Sequence, residues 1–187
     1  MDNGSTDGST EICGELAKRS ARVKVLRSEK GWGRAVKAGL KEAKGDWVGY
    51  TNSARTSAQD LMLIVLYSVL YPDSAVKAAR GARQGFRRRL GTLLYNLECR
   101  FFFNLPTWDV NGTPKFFPRR YEKLLALQSD NDLIDAEFNA VCRQEGYPLV
   151  EVPILSTHRH SGKSTTNYTS AFKMYKGAFD LWRKLKA

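Results

Sequence analysis

Two polar stretches of this 187-residue chain carry side chains whose types and spacing suit chemistry. His158-Arg159-His160-Ser161-Gly162-Lys163-Ser164 gathers two fixed cations, hydroxyls and a glycine in one loop. Loops of this composition hold phosphate through backbone N–H groups and Arg or Lys side chains, which makes Arg159, Lys163 and Ser164 the candidate phosphate ligands. The two histidines have no acid beside them and are weak evidence for a metal site. The second stretch, GDWVGYTNSARTSAQD over residues 45–60, begins as an aromatic and β-branched strand signal, Trp47 to Tyr50, and stops at a polar loop. Ligands of open α/β sheets bind beyond the carboxyl ends of strands, so binding is expected near Asn52. A third pair of groups, Asp135 and Glu137, points the same way on an extended segment and nearly opposite ways on a helix; on a helix only one of them faces the site.

The elements that must position these groups alternate along the first eighty residues. Residues 1–10 are dense in Gly, Ser, Thr, Asp and Asn and form a loop in which Ser9 or Thr10 caps a helix reaching about residue 21, with Ile12 and Leu16 on one face. A short strand over 23–26 follows. Lys30-Gly31-Trp32-Gly33 then opens a helix with Val36, Leu40 and Ala43 in register. The strand ending at Tyr50 leads to an apolar helix over 61–70, stopped by Pro72, and to a strand over 75–79. This order predicts βαβ units, hence an α/β domain with a mainly parallel sheet flanked by helices. Because the chain opens in a loop of the kind that follows a strand, the sheet is expected to lack its first strand. Further on, Asn111-Gly112 is a hairpin signal. Helices over 120–127 and 134–145, a strand over 149–154 and a last helix follow. That helix has Tyr168, Phe172, Tyr175, Phe179 and Trp182 on one stripe, read as a docked face. All 187 residues are expected to form one domain.

A net charge of +11 predicts an anionic partner: nucleic acid, an acidic membrane surface or a phosphorylated small molecule. No helix-turn-helix, RRM, KH or zinc module is present, so nucleic acid is not expected. Cys13, Cys99 and Cys142 have neither CxxC spacing nor even number, which argues against a disulfide framework and a zinc site and for a reducing, cytoplasmic setting. The longest apolar run, 61–70, is half of the roughly 20 residues needed to cross a bilayer. In the segment 83–104, Arg83, Arg87, Arg88 and Arg89 interleave with Phe86, Leu90, Leu93, Leu94, Leu97 and Phe101 at helical spacing. Two readings stand for it: an interfacial helix on a membrane surface, or a core helix with a solvated basic face.

Taken together, these residues resemble the family 2 glycosyltransferases of GT-A fold, in particular the dolichyl- or polyprenyl-phosphate sugar synthases, along essentially the whole chain. Asp2-Asn3-Gly4-Ser5-Thr6-Asp7-Gly8 is similar to the family's D-D-G-S-T-D-G. Lys30 to Gly39 resembles its N-x-G-x-G-x-A-x-x-x-G. Asp109 stands where the family has an Asp before a G-F hairpin. Asp135-Ala136-Glu137 resembles its acidic acceptor-side motif, and Glu151-Val152-Pro153 with Arg159-x-x-Gly162-x-Ser164 resembles E-V-P and R-x-x-G-x-S. Each motif alone is common; five in the same order are not.

The resemblance implies transfer of a sugar from a nucleotide-sugar donor to a lipid-phosphate acceptor, polyprenyl or dolichyl phosphate, at the cytoplasmic face of a membrane. Asp2, Asp7, Gly31, Gly33 and Asn52 would bind the donor, Arg159, Lys163 and Ser164 a phosphate, and Asp135 and Glu137 would be catalytic. The family's D-x-D motif, which holds Mg2+ or Mn2+, should follow Tyr50, but Asn52 and Ala54 occupy its positions. One neutral oxygen is a poor site for a hard divalent cation, so no metal ligand is assigned. A relative that binds without turnover is the alternative. Plainer roles stand beside the functional ones: Asp2 and Asp7 suit an Asx turn and a helix cap, Gly31 and Gly33 a turn and close packing, Asp109 its own turn, and Glu137 a solvated helix face.

Overall fold

Four short strands form where β-branched and aromatic residues cluster: β1 (Trp47–Tyr50), β2 (Ala75–Arg80), β3 (Lys115–Pro118) and β4 (Leu149–Ile154). The structure is a computed structural model that describes residues 1–80, 86–154 and 168–186, with the side chains of 86–89 and 168–172 left aside. The helices are α1 (Ser9–Arg19), α2 (Trp32–Glu42), α3 (Ala58–Leu70), α4 (Phe86–Phe103), α5 (Glu122–Leu125), α6 (Ile134–Gln144) and α7 (Tyr168–Lys186).

The sheet order is β1-β3-β2-β4. Strands β2 and β4 are parallel, but β3 lies antiparallel to both β1 and β2, so the sheet is mixed rather than mainly parallel. The reason lies in the chain before β3. Asp109 is bonded to Arg80 at the carboxyl end of β2, and Ala78 N–H donates to Pro114 O at 2.9 Å, so β3 starts where β2 ends and must run back alongside it. Asn111-Gly112 accordingly makes a turn, with Gly112 N–H donating to Asp109 O at 3.0 Å, and not a hairpin between two strands. A Cβ on Gly112 would lie 1.8 Å from Ala78 O, so this close approach to β2 admits only glycine.

Residues 23–26 do not form a strand. The one isolated bridge nearby among the described residues pairs Asp2 with Arg27, just past the segment, with Asp2 N–H bonded to Leu26 O and Ser28 N–H to Asp2 O. Ser9 and Thr10 do not cap α1 either: Gly8, at φ 78°, holds the cap position. Ile12 and Leu16 are exposed, and α1 buries no residue. α3 begins three residues earlier than its apolar run, because Ser57 and Asp60 close a capping box at its start. The helix expected over 120–127 is the single turn α5.

One face of the sheet, with Val48, Ala75 and Phe117, packs on Val36 and Leu40 of α2 and on Ile134, Phe138 and Cys142 of α6. The other face, with Val76, Ala78, Val152 and Ile154, meets Ile64 of α3. Full burial of a side chain such as Ile64 contributes about 1.5–3 kcal/mol. A third cluster joins α4, α6 and α7 through Tyr95, Cys99, Phe103, Ala140, Ala178 and Leu181. Phe102 stacks on Trp182 at 5.4 Å, so α7 is docked, although Phe179 on the same stripe stays partly exposed.

Candidate functional site

The first loop folds around Asp2. Its Oδ2 accepts from Thr10 Oγ1 at 2.6 Å and its Oδ1 from Ser5 N–H at 3.1 Å, and these bonds hold its carboxyl down at a pKa of about 2. Asp2 lines an open pocket with Ser5, Thr10, Arg27 and Ser28, and the buried Ser28 Oγ has no hydrogen-bond partner among the described residues. A carboxylate anion, a cation and an unpaired hydroxyl around one pocket are able to bond a polar ligand. Asp7 is exposed and bonded to Ser9 Oγ at 2.6 Å, an interaction within its own turn that also lowers its pKa.

Asn3 Nδ2 donates to Gly31 O at 3.3 Å and so joins this loop to the glycine loop. The glycines themselves face inward. A Cβ on Gly31, at φ 147°, would lie 2.8 Å from Asp130 O, and one on Gly33 would lie 2.1 Å from Ser129 O. Both admit the close approach of residues 129–131 to the start of α2. Arg34 N–H donates to Asp130 O at 3.2 Å across the same contact, and Lys37 bonds Asp130, which lowers that carboxyl's pKa.

Asn52 follows β1 as expected, but its Oδ1 accepts Ala54 N–H at 3.0 Å and is spent on the turn. Ala54 has no ligand atom in its side chain. Asp60, the nearest acid in sequence, closes the α3 capping box. Among the described residues no group of three or more His, Cys, Asp or Glu could hold a metal ion. The donor set at positions 52–54 therefore does not fit Mg2+ or Mn2+, and no step of the chemistry is derived through a metal.

Across the sheet from the end of β1 runs a row of polar side chains whose two lysines the sequence does not single out. Tyr50, Lys115, Lys77 and Glu151 are successive register partners across all four strands and share one face of the sheet. Both lysines are fully buried. Lys77 Nζ donates to Glu151 Oε1 at 2.6 Å and to Asp109 O, while Lys115 Nζ is paired with Asp135 Oδ1 and donates to Val110 O at 3.3 Å. Three acids, Asp109, Asp135 and Glu151, balance the three cations Arg80, Lys77 and Lys115. Burial lowers the Lys115 pKa to about 8 against the opposing charge of Asp135. Burial and the Asp135 charge both raise the Tyr50 hydroxyl well above its ordinary value. Burial pushes the Asp109 carboxyl up, yet the bonds and charge of Arg80 outweigh it and leave the group well below the usual carboxylate range. The Glu151 carboxyl is likewise raised by burial and lowered further by Lys77, for a net fall.

Asp135 and Glu137 are both buried on α6, and they point apart. Asp135 turns to the carboxyl end of β1, where it accepts from Tyr50 OH at 3.1 Å and from Trp32 Nε1 at 3.0 Å. Glu137 turns to the loop before α6 and accepts the N–H groups of Gln128 and Ser129 at 2.7 Å each, so it is not a solvated face. Asp109 bonds Arg80 at 2.8 Å through both oxygens. The structure thus brings Asp135, Asp109 and Glu151 to one side of the sheet and leaves Asp2 and Asp7 at the first loop. Arg159, Lys163, Ser164, His158, His160 and Arg83 lie outside the described residues. The signal that could have exposed the missed groups is a lysine inside each of two strands, AVKAAR and KFFP, flanked by small or apolar neighbours.

On α4, Leu90, Leu93, Leu94, Leu97 and Phe101 form an exposed stripe, and Arg100 stacks on the exposed Trp108 at 4.0 Å. No helix among the described residues is long and apolar enough to cross a membrane.

A mixed sheet covered by helices on both faces, with polar loops gathered at its edge, is an α/β fold of the GT-A type, and comparison with solved structures agrees. Glucosyl-3-phosphoglycerate synthase from Mycobacterium tuberculosis, in complex with Mn2+, UDP and phosphoglyceric acid, has a TM-score of 0.65 at 14% identity, over 96% of this chain and 63% of that one. The same enzyme in another crystal structure gives 0.62 at 17% identity, over 95% and 65%. A crystal structure described as that of a mycobacterial protein gives 0.63 at 16%, over 95% and 60%. The chain therefore spans less than two thirds of the length of these neighbours. The family model described as Glycosyl transferase family 2 matches residues 1–125, and the chain belongs to that family. No curated protein matches the sequence.

Proposed function

We propose that this chain binds a nucleotide-sugar at the first loop and transfers the sugar to a phosphate-bearing acceptor, a polyprenyl or dolichyl phosphate held at the cytoplasmic face of a membrane. The observation that carries the donor half is the Asp2 pocket. A preformed anion at Asp2 accepts hydrogen bonds from a base or ribose, the unpaired Ser28 hydroxyl adds a second partner, and Arg27 supplies charge. Asp7, Gly31, Gly33 and Asn52 act indirectly in this reading, by shaping the loops around the donor. Of the two acids on α6, Asp135 bonds Trp32 and Tyr50, next to the loops that carry Gly31 and Asn52, and is the one read as catalytic, while Glu137 holds the loop before α6. Arg159, Lys163 and Ser164 would meet the diphosphate or the acceptor phosphate with charge-assisted hydrogen bonds.

The acceptor half draws support from the exposed stripe of α4, which continues the basic run at Arg87 to Arg89 in sequence. A solved neighbour was crystallised with UDP-glucose, Mn2+ and phosphoglyceric acid, and a phosphate-bearing ligand beside a nucleotide-sugar in that protein supports this reading. A second reading, binding without turnover, is favoured by Asn52 and Ala54 at the metal-binding positions. Thermal-shift and turnover assays with UDP-, GDP- and CMP-linked sugars, with and without Mn2+ and with polyprenyl phosphate in vesicles, separate the two. Stabilisation plus sugar transfer supports the transferase; stabilisation alone supports the binding protein; neither overturns both.

A further inference from the structure

The side chain of Asp135 is a junction of three chain segments. Through Trp32 it reaches the first turn of α2, directly behind Gly31. Through Tyr50 it reaches the end of β1, two residues before Asn52. Through Lys115, which also donates to Val110 O, it reaches the turn at 109–112. Asn139, one helical turn along α6, reinforces the last link with Nδ2 bonds to Asp135 O at 2.6 Å and Val110 O at 3.0 Å.

Stability does not explain such an arrangement. Removing two charges from water costs several kcal/mol per ion, and a well-packed apolar pair of similar volume is often as stable or more so. What the charges add is direction: a carboxylate satisfied only when three donors from three segments converge fixes the spacing of those segments. The surroundings restrict the alternatives. Lys77 is the cross-strand neighbour of Lys115 and of like charge, but it is occupied by Glu151 and Asp109 O; Arg80 occupies Asp109; and Tyr50 and Cys142 are the other titratable groups against Lys115. Among the described residues Lys115 therefore has one carboxylate in direct contact, that of Asp135.

We propose that Lys115 and Asp135 form a buried pair of positioning residues that sets the spacing of the glycine loop, the Asn52 loop and the 109–112 turn, and so aligns donor and acceptor. The functional half of this inference rests on the proposed transferase reading; the geometric half does not. Its first test is a pH titration by NMR, following the Trp32 indole N–H and the backbone amides of Asn52 and Val110. Because Lys115 is displaced to about pKa 8, all three resonances are expected to shift together near pH 8 in the native chain and to lose that common step in Lys115→Met. Independent midpoints, or a step that persists in Lys115→Met, would overturn the pairing. Should that variant not fold, Asp135→Asn, which keeps the shape of the acid, serves in its place: Lys115 loses the charge that holds its proton, so the step is expected to move to lower pH, and a step that stays near pH 8 would overturn the pairing.

The second test compares the native chain with the apolar double variant Lys115→Met/Asp135→Leu. Nucleotide affinity is expected to change by less than about threefold while transfer falls about a hundredfold, the cost of a misplacement of about 1 Å. Unchanged transfer would refute the positioning role, and so would a Lys115→Met variant that keeps native transfer while only Asp135→Asn loses it, the result expected if Asp135 acted on the acceptor directly. A native chain that binds no nucleotide-sugar would instead refute the transferase reading and leave the NMR result to decide the geometry.

Discussion

Replacing Asp109 by alanine is expected to cost about 3–5 kcal/mol of folding stability, the range for removing one partner of a buried ion pair. Its carboxylate makes three bonds to one residue, accepting Arg80 Nε and Nη2 at 2.8 Å and Arg80 N–H at 2.9 Å. The two side chains are 12% and 13% exposed, so water cannot replace what is lost and the guanidinium stays nearly buried and unpaired. Such a loss is a large share of the 5–15 kcal/mol typical of a domain. The internal control is Asp73→Ala, which removes an ion pair to Arg120 whose partners are 87% and 56% exposed and should cost less than about 1 kcal/mol. Urea unfolding at pH 7, followed by far-UV circular dichroism, measures both, with an unchanged slope showing that the denatured state is not responsible. The pair also sets an acid response. Because the folded pKa of Asp109 is depressed, its contribution is complete above the ordinary Asp range near 3.9 and is lost as pH falls through the lower folded value. Asp109→Asn should flatten that acid limb. A loss for Asp109→Ala no larger than that for Asp73→Ala would refute the reasoning.

Gly33→Ala is expected to destabilise by about 1–3 kcal/mol through overpacking, since its Cβ would meet Ser129 O at 2.1 Å; thermal unfolding checks it. Asn52→Asp with Ala54→Asp should create Mn2+-dependent nucleotide affinity, seen by calorimetry with and without Mn2+, if the rest of the pocket is intact. Arg159→Ala should weaken phosphate-bearing ligand binding by about 1.5–3 kcal/mol, and unchanged affinity would remove Arg159 from the site.

Much of the framework is legible in the sequence because it depends on local chemistry. Trp47 to Tyr50 and residues 149–154 read as strands and are strands, since their β-branched and aromatic residues meet a half-buried sheet. The reversal of β3 is not legible, because it follows from the contact of Asp109 with Arg80, 29 residues away. Residues 23–26 carry a strand pattern, but pattern becomes strand only with a partner, and Asp2 supplies a single bridge. Ile12 and Leu16 have helical spacing, yet nothing among the described residues covers that face. Asp2, Asn52 and Asp135 are legible from motif order as candidates for the site. Lys77 and Lys115 are not, because a lysine inside a strand is read as solvated until the acid that neutralises it is known, and Asp135 is 20 residues beyond Lys115; Trp32 and Tyr50 are legible as parts of their elements but not as partners of Asp135.

Donor binding at the Asp2 pocket is the central claim, and an NMR titration of the isotopically labelled chain with UDP-glucose tests it most directly. Saturable shifts of residues 2–10 and 27–34, abolished in Asp2→Ala, are expected. Absence of saturable shifts at millimolar ligand, or shifts confined to α4 and α7, would contradict it.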